Sequence, residues 1–255
     1  MLLELSPFIF EIGGFGIRWY SLLLAVSIAV GLYYFIRNGV KHGIDEDSLY
    51  NIALISIIGG MIGARIIYVA TNLGAYAGDL LEIIRVDHGG LSWHGALLGG
   101  VLAAWAYAAR KKIDLKMIMD LAVPGLALGY ALVRVGNIFN QEVLGRPTGF
   151  GLERHPAQLY GTAIGVGLLI LHYILSRRPR PSGYLFWTFF IYNTVFRALI
   201  EDSVREEHAV FFSLYINDYL GVGLLTLVQL LAIPLIVFGF WMRRRAVQSS
   251  KPSAT

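Results

Sequence analysis

The sequence predicts an all-α membrane protein of seven transmembrane helices, with its N-terminus outside and its C-terminus cytoplasmic. Three observations carry that expectation. Of 255 residues, 56% are hydrophobic and 15% charged, against roughly 25% charged in a soluble domain. Apolar stretches of spanning length recur along the chain, and the basic residues gather in alternate loops.

A spanning helix takes about 20 apolar residues. Such stretches occur at about 17–36, 50–70, 91–109, 117–135, 157–176, 184–200 and 218–241. Seven spans would use about 140 residues and leave loops of about a dozen, so no large extramembrane domain fits. The expectation is one polytopic membrane domain over 1–247 and a disordered polar tail over 248–255. The first stretch does not read as a cleavable signal, because no basic segment precedes it and no small-residue cleavage site follows.

Alternating the loops places Arg37, Lys41, Arg110, Lys111, Lys112, Lys116, Arg177, Arg178, Arg180, Arg243, Arg244, Arg245 and Lys251 on one side, 13 of the 21 basic residues. Arg18, Arg85, Arg146, Arg154 and Arg205 remain opposite. By the positive-inside rule the first side is cytoplasmic. Topology therefore accounts for the net charge of +4, and no nucleic-acid partner is expected. With no cysteine, any sulfur chemistry must come from a partner. His and acidic residues do not cluster at metal-ligand spacing, so neither metal nor cofactor is expected.

Arg65, Arg134 and Arg197 fall inside apolar stretches, where a charge costs at least about 2.5–3.5 kcal/mol at mid-helix. Helix direction puts all three in the outer part, at the depth of Tyr20 and His94. With Asn137, Asn140, Glu142 and Glu201 they suggest an anion pocket, and phospholipid phosphate lies at that depth. Each has a plainer reading. Arg65 could snorkel to the headgroups. Arg197 and Glu201, four apart, could be a structural helix pair or a carboxylate that orients the guanidinium. His94 could be an interfacial histidine, and Tyr20 a member of the aromatic belt. Gly59, Gly60, Gly63, Gly95, Gly99, Gly125 and Gly129 suit close helix packing, while Glu206, Glu207 and His208 read as a solvated outer loop.

The run Arg134-Val135-Gly136-Asn137-Ile138-Phe139-Asn140-Gln141-Glu142-Val143-Leu144-Gly145-Arg146-Pro147-Thr148 resembles the signature of bacterial prolipoprotein diacylglyceryl transferases. Arg18-Trp19-Tyr20, Gly63-Ala64-Arg65, Ser92-Trp93-His94-Gly95, Arg154-His155-Pro156-Ala157-Gln158-Leu159-Tyr160 and Phe196-Arg197 with Glu201 match in order. The resemblance implies a multi-pass protein of the bacterial cytoplasmic membrane, active toward the outer leaflet. It implies transfer of the diacylglyceryl group of phosphatidylglycerol to the lipobox cysteine of a prolipoprotein, releasing glycerol phosphate. Its partners would be phosphatidylglycerol, the prolipoprotein signal peptide and membrane lipids, and a monomer is expected. It implies His94, Arg134 and Arg197 as catalytic, with Tyr20, Arg65, Asn137, Asn140, Glu142, Gly145, Arg146 and Glu201 at the headgroup or beside it. Gly161 stands where such families usually carry Glu, Gln141 where they usually carry Gly, and the segment from Thr148 to Arg154 is short. The alternative is a non-catalytic or altered-specificity lipid- or anion-binding protein or transporter using the same arginines.

Overall fold

The computed structural model describes residues 5–13, 15–76, 80–85, 90–206, 214–215 and 219–249; the side chains of Phe15, Ala75, Leu80, Trp93, His94, Leu214 and Tyr215 lie outside this set. The chain divides into two compact units, one of residues 1–34 with 119–255 and one of residues 35–118.

In the unit of residues 35–118, α2 (Glu46–Thr71) and α3 (Trp93–Lys111) form an antiparallel pair. Asp45 starts α2 by accepting from the Ser48 N–H, and Ser92 starts α3 by accepting from Gly95 N–H. These caps satisfy amide groups that a first turn leaves open. The glycines do pack closely. A Cβ on Gly63 would lie 2.9 Å from Gly99 Cα, and one on Gly59 would lie 2.5 Å from Ala103 Cβ. Contact at backbone distance is how helices associate in lipid, where burial of apolar surface gives no drive.

Arg65 neither reaches for the headgroups nor presents itself to a ligand. Its Nε donates to Ile83 O (2.8 Å), Nη1 to Gly90 O (3.0 Å) and Nη2 to Arg85 O (2.9 Å) and to Glu82 O. It thereby caps the short 3-10 turn Leu80–Ile84, whose last carbonyls lack helical partners. The snorkelling expectation is corrected on that ground, since a side chain 8% exposed with its donors on backbone carbonyls is an internal cap.

In the other unit, β1 (Phe8–Ile12) and β2 (Phe15–Arg18) form an antiparallel hairpin that leads into α1 (Trp19–Lys41). The first span was expected from residue 17; Ile17 instead pairs with Phe10 in the hairpin. α4 (Leu115–Asn140) and α5 (Ala157–Ser176) bury Ala127, Ile164 and Leu168 in a common core that Tyr130, Leu169 and Phe189 cover. α6 (Tyr184–Phe196) is started from another helix, because both Asp120 carboxylate oxygens on α4 accept 2.7 Å bonds from the Gly183 and Phe186 N–H groups. The winding then widens to a π turn over Arg197–Glu201 and closes with α7 (Asp202–Val204).

The last helix, α8 (Leu227–Gln248), begins well after the expected residue 218. Thr226 and Gln229 form a reciprocal capping box there, which fixes the start one turn past β4 (Gly223–Leu224), the partner of β3 (Leu214–Tyr215). Gln248, expected in a disordered tail, is helical; residues 250–255 of that tail, like Glu207 and His208, lie outside the described residues.

Among the described residues, five helices are long and apolar enough to cross a membrane: α1, α2, α4, α5 and α8. They leave large apolar side chains such as Leu54, Ile66 and Ile170 exposed, as a chain solvated by lipid does, and a water-soluble surface of that kind would aggregate. The protein is an integral membrane protein.

Candidate functional site

The signature run lies at the C-terminal end of α4 and in the loop after it. α4 stops at Asn140 because Gln141 turns left-handed at φ 55°. Gln141 N–H then bonds Ile138 O and Glu142 N–H bonds Asn137 O (3.0 Å), the pair that closes a Schellman motif. Glycine serves that position without strain, which accounts physically for the glycine usual there; here Gln141 adopts the same turn. Glu142 is thus folded back beside the last helical residues.

That fold-back builds a chain of polar contacts along α4. Arg134 Nε and Nη2 hold Glu201 Oε2 and Oε1 at 3.1 and 2.6 Å, and Nη1 holds Asn137 Oδ1 at 3.1 Å. Asn137 Nδ2 donates to Glu142 Oε2 at 2.9 Å, and Asn140 Nδ2 reaches Glu142 Oε1 at 3.4 Å. An amide that accepts from a guanidinium with its oxygen must give through its nitrogen, so Asn137 is the relay between cation and carboxylate. The Gln158 side chain donates to Glu142 O. Tyr130, one turn before Arg134, donates its hydroxyl to Glu201 Oε2 and lies under the Arg134 guanidinium. Glu201 is fully buried, and Arg205 stands 3.9 Å from its Oε1.

The expected Arg197–Glu201 pair does not form. A π turn carries 5-residue hydrogen bonds, seen as Asp202 N–H to Arg197 O, and it shifts the face by one position. Arg197 therefore meets Asp202, Nε to Oδ2 at 3.8 Å, while Glu201 turns to Arg134. The Arg197 side chain remains 33% exposed, against 10% for Arg134. Two of the five Arg134 N–H groups are outside the bonds just described; the guanidinium of Arg197 is the more open cation.

The loop beyond is fastened by main-chain bonds. Gly145 bridges to Arg205 and Pro147 to Arg154, and Arg146 N–H bonds Val204 O at 2.7 Å. A Cβ on Gly145 would stand 2.7 Å from His155 Cβ, so only glycine lets these segments meet. Arg146, expected at the headgroup, is 6% exposed and gives Nε to Arg205 O. It ties the loop to the end of α7. Arg154 bonds Gly145 O and pairs with Glu206, and His155 Nε2 lies 2.7 Å from Leu220 O.

Tyr20 packs on the same end of α4, where a Cβ on Gly136 would lie 3.0 Å from its Cα, and Trp19 stacks on Phe139. Gly161 opens the space for the ion pair, because a Cβ there would stand 2.6 Å from Glu201 Oε2 and 2.8 Å from Arg134 Cγ. The structure thus brings together Tyr20, Arg134, Asn137, Asn140, Glu142, Gly145, Arg146 and Glu201, with Arg197 on the same turn as Glu201. Arg65 and the backbone of His94 belong to the other unit; the His94 side chain lies outside the described residues. Sequence reasoning missed Tyr130, Asp202 and Arg205. Tyr130 was findable, four residues before Arg134 on one helix face. Arg205 was read as an outer-loop charge, yet its side chain is 15% exposed.

The site is therefore a buried, charge-compensated scaffold that leaves a partly open arginine beside it, an arrangement suited to an anionic ligand. Residues 7–244 match the family model described as prolipoprotein diacylglyceryl transferase. A phosphatidylglycerol–prolipoprotein diacylglyceryl transferase of Thermoanaerobacter sp. (strain X514) is 43% identical over 95% of each chain. Proteins of the same name from Thermus thermophilus and Geobacter sulfurreducens are 33% and 32% identical, over 92% and 94% of this chain and 96% and 94% of their own. A family match that takes in the whole signature network, joined to relatives matched end to end, places this chain in the prolipoprotein diacylglyceryl transferase family.

Proposed function

We propose that the protein transfers the diacylglyceryl group of phosphatidylglycerol to the lipobox cysteine of prolipoproteins, the first step of lipoprotein maturation. The observation that carries this reading is the Arg134–Asn137–Glu142 relay with Glu201, built from the residues that the resemblance singles out.

In the reaction the substrate thiol loses its proton, sulfur bonds to the glyceryl carbon, and the bond from that carbon to the phosphate oxygen breaks. Glycerol phosphate leaves with the electron pair. A thiol of ordinary pKa about 8.5 needs a base, and the leaving phosphate needs fixed positive charge. Arg197 supplies the charge with its open guanidinium, and the remaining N–H groups of Arg134 form a second contact. Glu201, Asn137 and Glu142 hold Arg134 in place, so the cation does not reorganise as charge develops. His94 at the start of α3 is the candidate base on the family resemblance. The nucleophilic sulfur is the client's.

The reaction is tested by complementing a transferase-depleted bacterium and weighing its lipoproteins. Diacylglyceryl-modified product is expected; a well-inserted protein that yields none would leave lipid or anion binding without catalysis as the reading. In the same assay His94→Ala is expected to keep the protein folded and to lower transfer about 10²- to 10⁴-fold, the usual worth of a general base. Near-normal turnover at subsaturating lipid and thiol would remove His94 from that role.

In the proposed topology α3 and the continuous helical stretch over 184–204 also cross, giving seven spans in the cytoplasmic membrane with the N-terminus and the Arg134 end of α4 outside. The supporting observation is the concentration of basic residues in alternate loops. Because the chain lacks cysteine, single cysteines report cleanly. A membrane-impermeant thiol reagent applied outside should label Glu153→Cys and spare Arg178→Cys, and the opposite pattern would reverse the topology.

A further inference from the structure

Far from the signature loop, α1, α4 and α5 wall a cavity of about 340 Å³, at the small end of the roughly 300–1,000 Å³ typical of ligand sites. At one edge of the slot α1 and α4 meet at backbone distance. A Cβ on Gly31 would lie 2.9 Å from Gly125 Cα, and Pro124 beside it adds little bulk.

The lining is graded along the helix axes. Val30, Leu128 and Leu169 line the part remote from the C-terminal end of α5, whereas Tyr34, His172, Tyr173 and Ser176 line the part near it. At a rise of about 1.5 Å per residue, Leu169 and Ser176 are about 10 Å apart along α5. His172 is 8% exposed, with Nε2 3.3 Å from the Tyr34 hydroxyl. Its Nδ1 has no hydrogen-bond partner among the described residues. A buried polar atom of this kind normally has one. Next after the lining residue Ser176, Arg177 lays its guanidinium over the ring of Tyr173, 4.6 Å from the centroid, and Arg178 and Arg180 follow in sequence.

Apolar wall, hydrogen-bonding middle and cationic end succeed one another in the order of acyl chain, ester and phosphate in a phospholipid. We propose that this slot is a second lipid site, which holds an anionic diacyl phospholipid of the leaflet at the C-terminal end of α5. One chain lies along Val30, Leu128 and Leu169, an ester carbonyl meets the His172–Tyr34 pair, and the phosphate sits at Arg177 and Arg178. The inference rests on the membrane-spanning reading of α1, α4 and α5 and not on the transfer reaction.

Basic residues at a membrane surface attract anionic lipid by about 1 kcal/mol each, so two arginines should favour it tenfold or more. Native mass spectrometry of the full chain in detergent tests this with phosphatidylserine and phosphatidylcholine of identical acyl chains. The wild-type protein should retain phosphatidylserine at least tenfold better. The exposed double variant Arg177→Gln/Arg178→Gln should lose that preference, and Ser176→Trp, which adds bulk to the lining at that end, should lower retention of both lipids. Equal retention of the two lipids by the wild type, or an unchanged preference in the double variant, would overturn the site. So would undiminished retention in Ser176→Trp. Binding is read without turnover, and transfer from phosphatidylglycerol, measured in parallel, should be unaltered in both variants, so failure of the transferase reading would show separately.

Discussion

Glu201→Gln is expected to destabilise the protein by about 3–5 kcal/mol, the usual cost of removing one partner from a buried ion pair. The carboxylate is fully buried, and it accepts two bonds from Arg134 and one from Tyr130. Its loss leaves the Arg134 charge stranded against apolar helix. Replacing both members, as Arg134→Met/Glu201→Leu, should recover part of the stability, because an apolar pair of similar volume carries no desolvation penalty, while the Tyr130 hydroxyl and Arg205 still lose their carboxylate. Transfer should not recover with it, since Asn137 and Glu142 would lose the cation that orients them. Thermal unfolding in detergent, read beside turnover, checks both halves. A Glu201→Gln protein as stable as the wild type would show that the pair is not holding α4 to the end of α6.

Arg197→Ala is expected to have a different profile, with a smaller loss of stability and a loss of about 2–5 kcal/mol in transfer, or about 30- to 5,000-fold. Arg197 is one-third exposed and stands 3.8 Å from the buried Asp202, a looser contact than the 2.6 Å bond between Arg134 and Glu201, so its removal costs less stability than removal of Glu201 does. Arg197→Lys keeps the charge and loses the planar pair of donors, and it should recover only part of the activity. If the contact tightens on the departing phosphate, the loss falls on kcat; if it holds substrate and transition state alike, it falls on KM. Rates with phosphatidylglycerol in defined micelles decide. Full activity of Arg197→Lys would reject the forked contact while leaving the family assignment intact. Arg134→Lys should differ from it by losing stability as well as rate, because the Nε and Nη2 bonds to Glu201 cannot both be remade by an ammonium.

The contrast between these two arginines marks how far the sequence could be read. Both stood out for the same reason, a guanidinium in an apolar stretch, and nothing in the local pattern separates them. Their environments differ through a π turn that rotates Glu201 toward Arg134 and sets Asp202 beside Arg197. Arg65 shared the same signal, and its donors proved to cap the carbonyls at the end of a 3-10 turn about 20 residues away. Tyr130 could have been added from helical spacing alone. Arg205 could not, since its burial depends on the bridge that joins it to Gly145.

The sequence by itself determined the membrane class, the positions of most helices, the absence of a protein thiol and the signature that marks the family. Those are properties of local composition and order, because the hydrocarbon core selects on length and hydropathy and a motif is legible residue by residue. Only the tertiary structure decided which carboxylate compensates which guanidinium, why Gly161 leaves room for the Arg134–Glu201 pair, and that Arg65 and Arg146 fasten backbone. Those pairings join residues such as 134 and 201 or 146 and 205, whose meeting is set by helix register and by the winding of one turn. The energy of a buried charge depends on its partner's position to within about an ångström, and hydropathy along the chain carries no information at that scale.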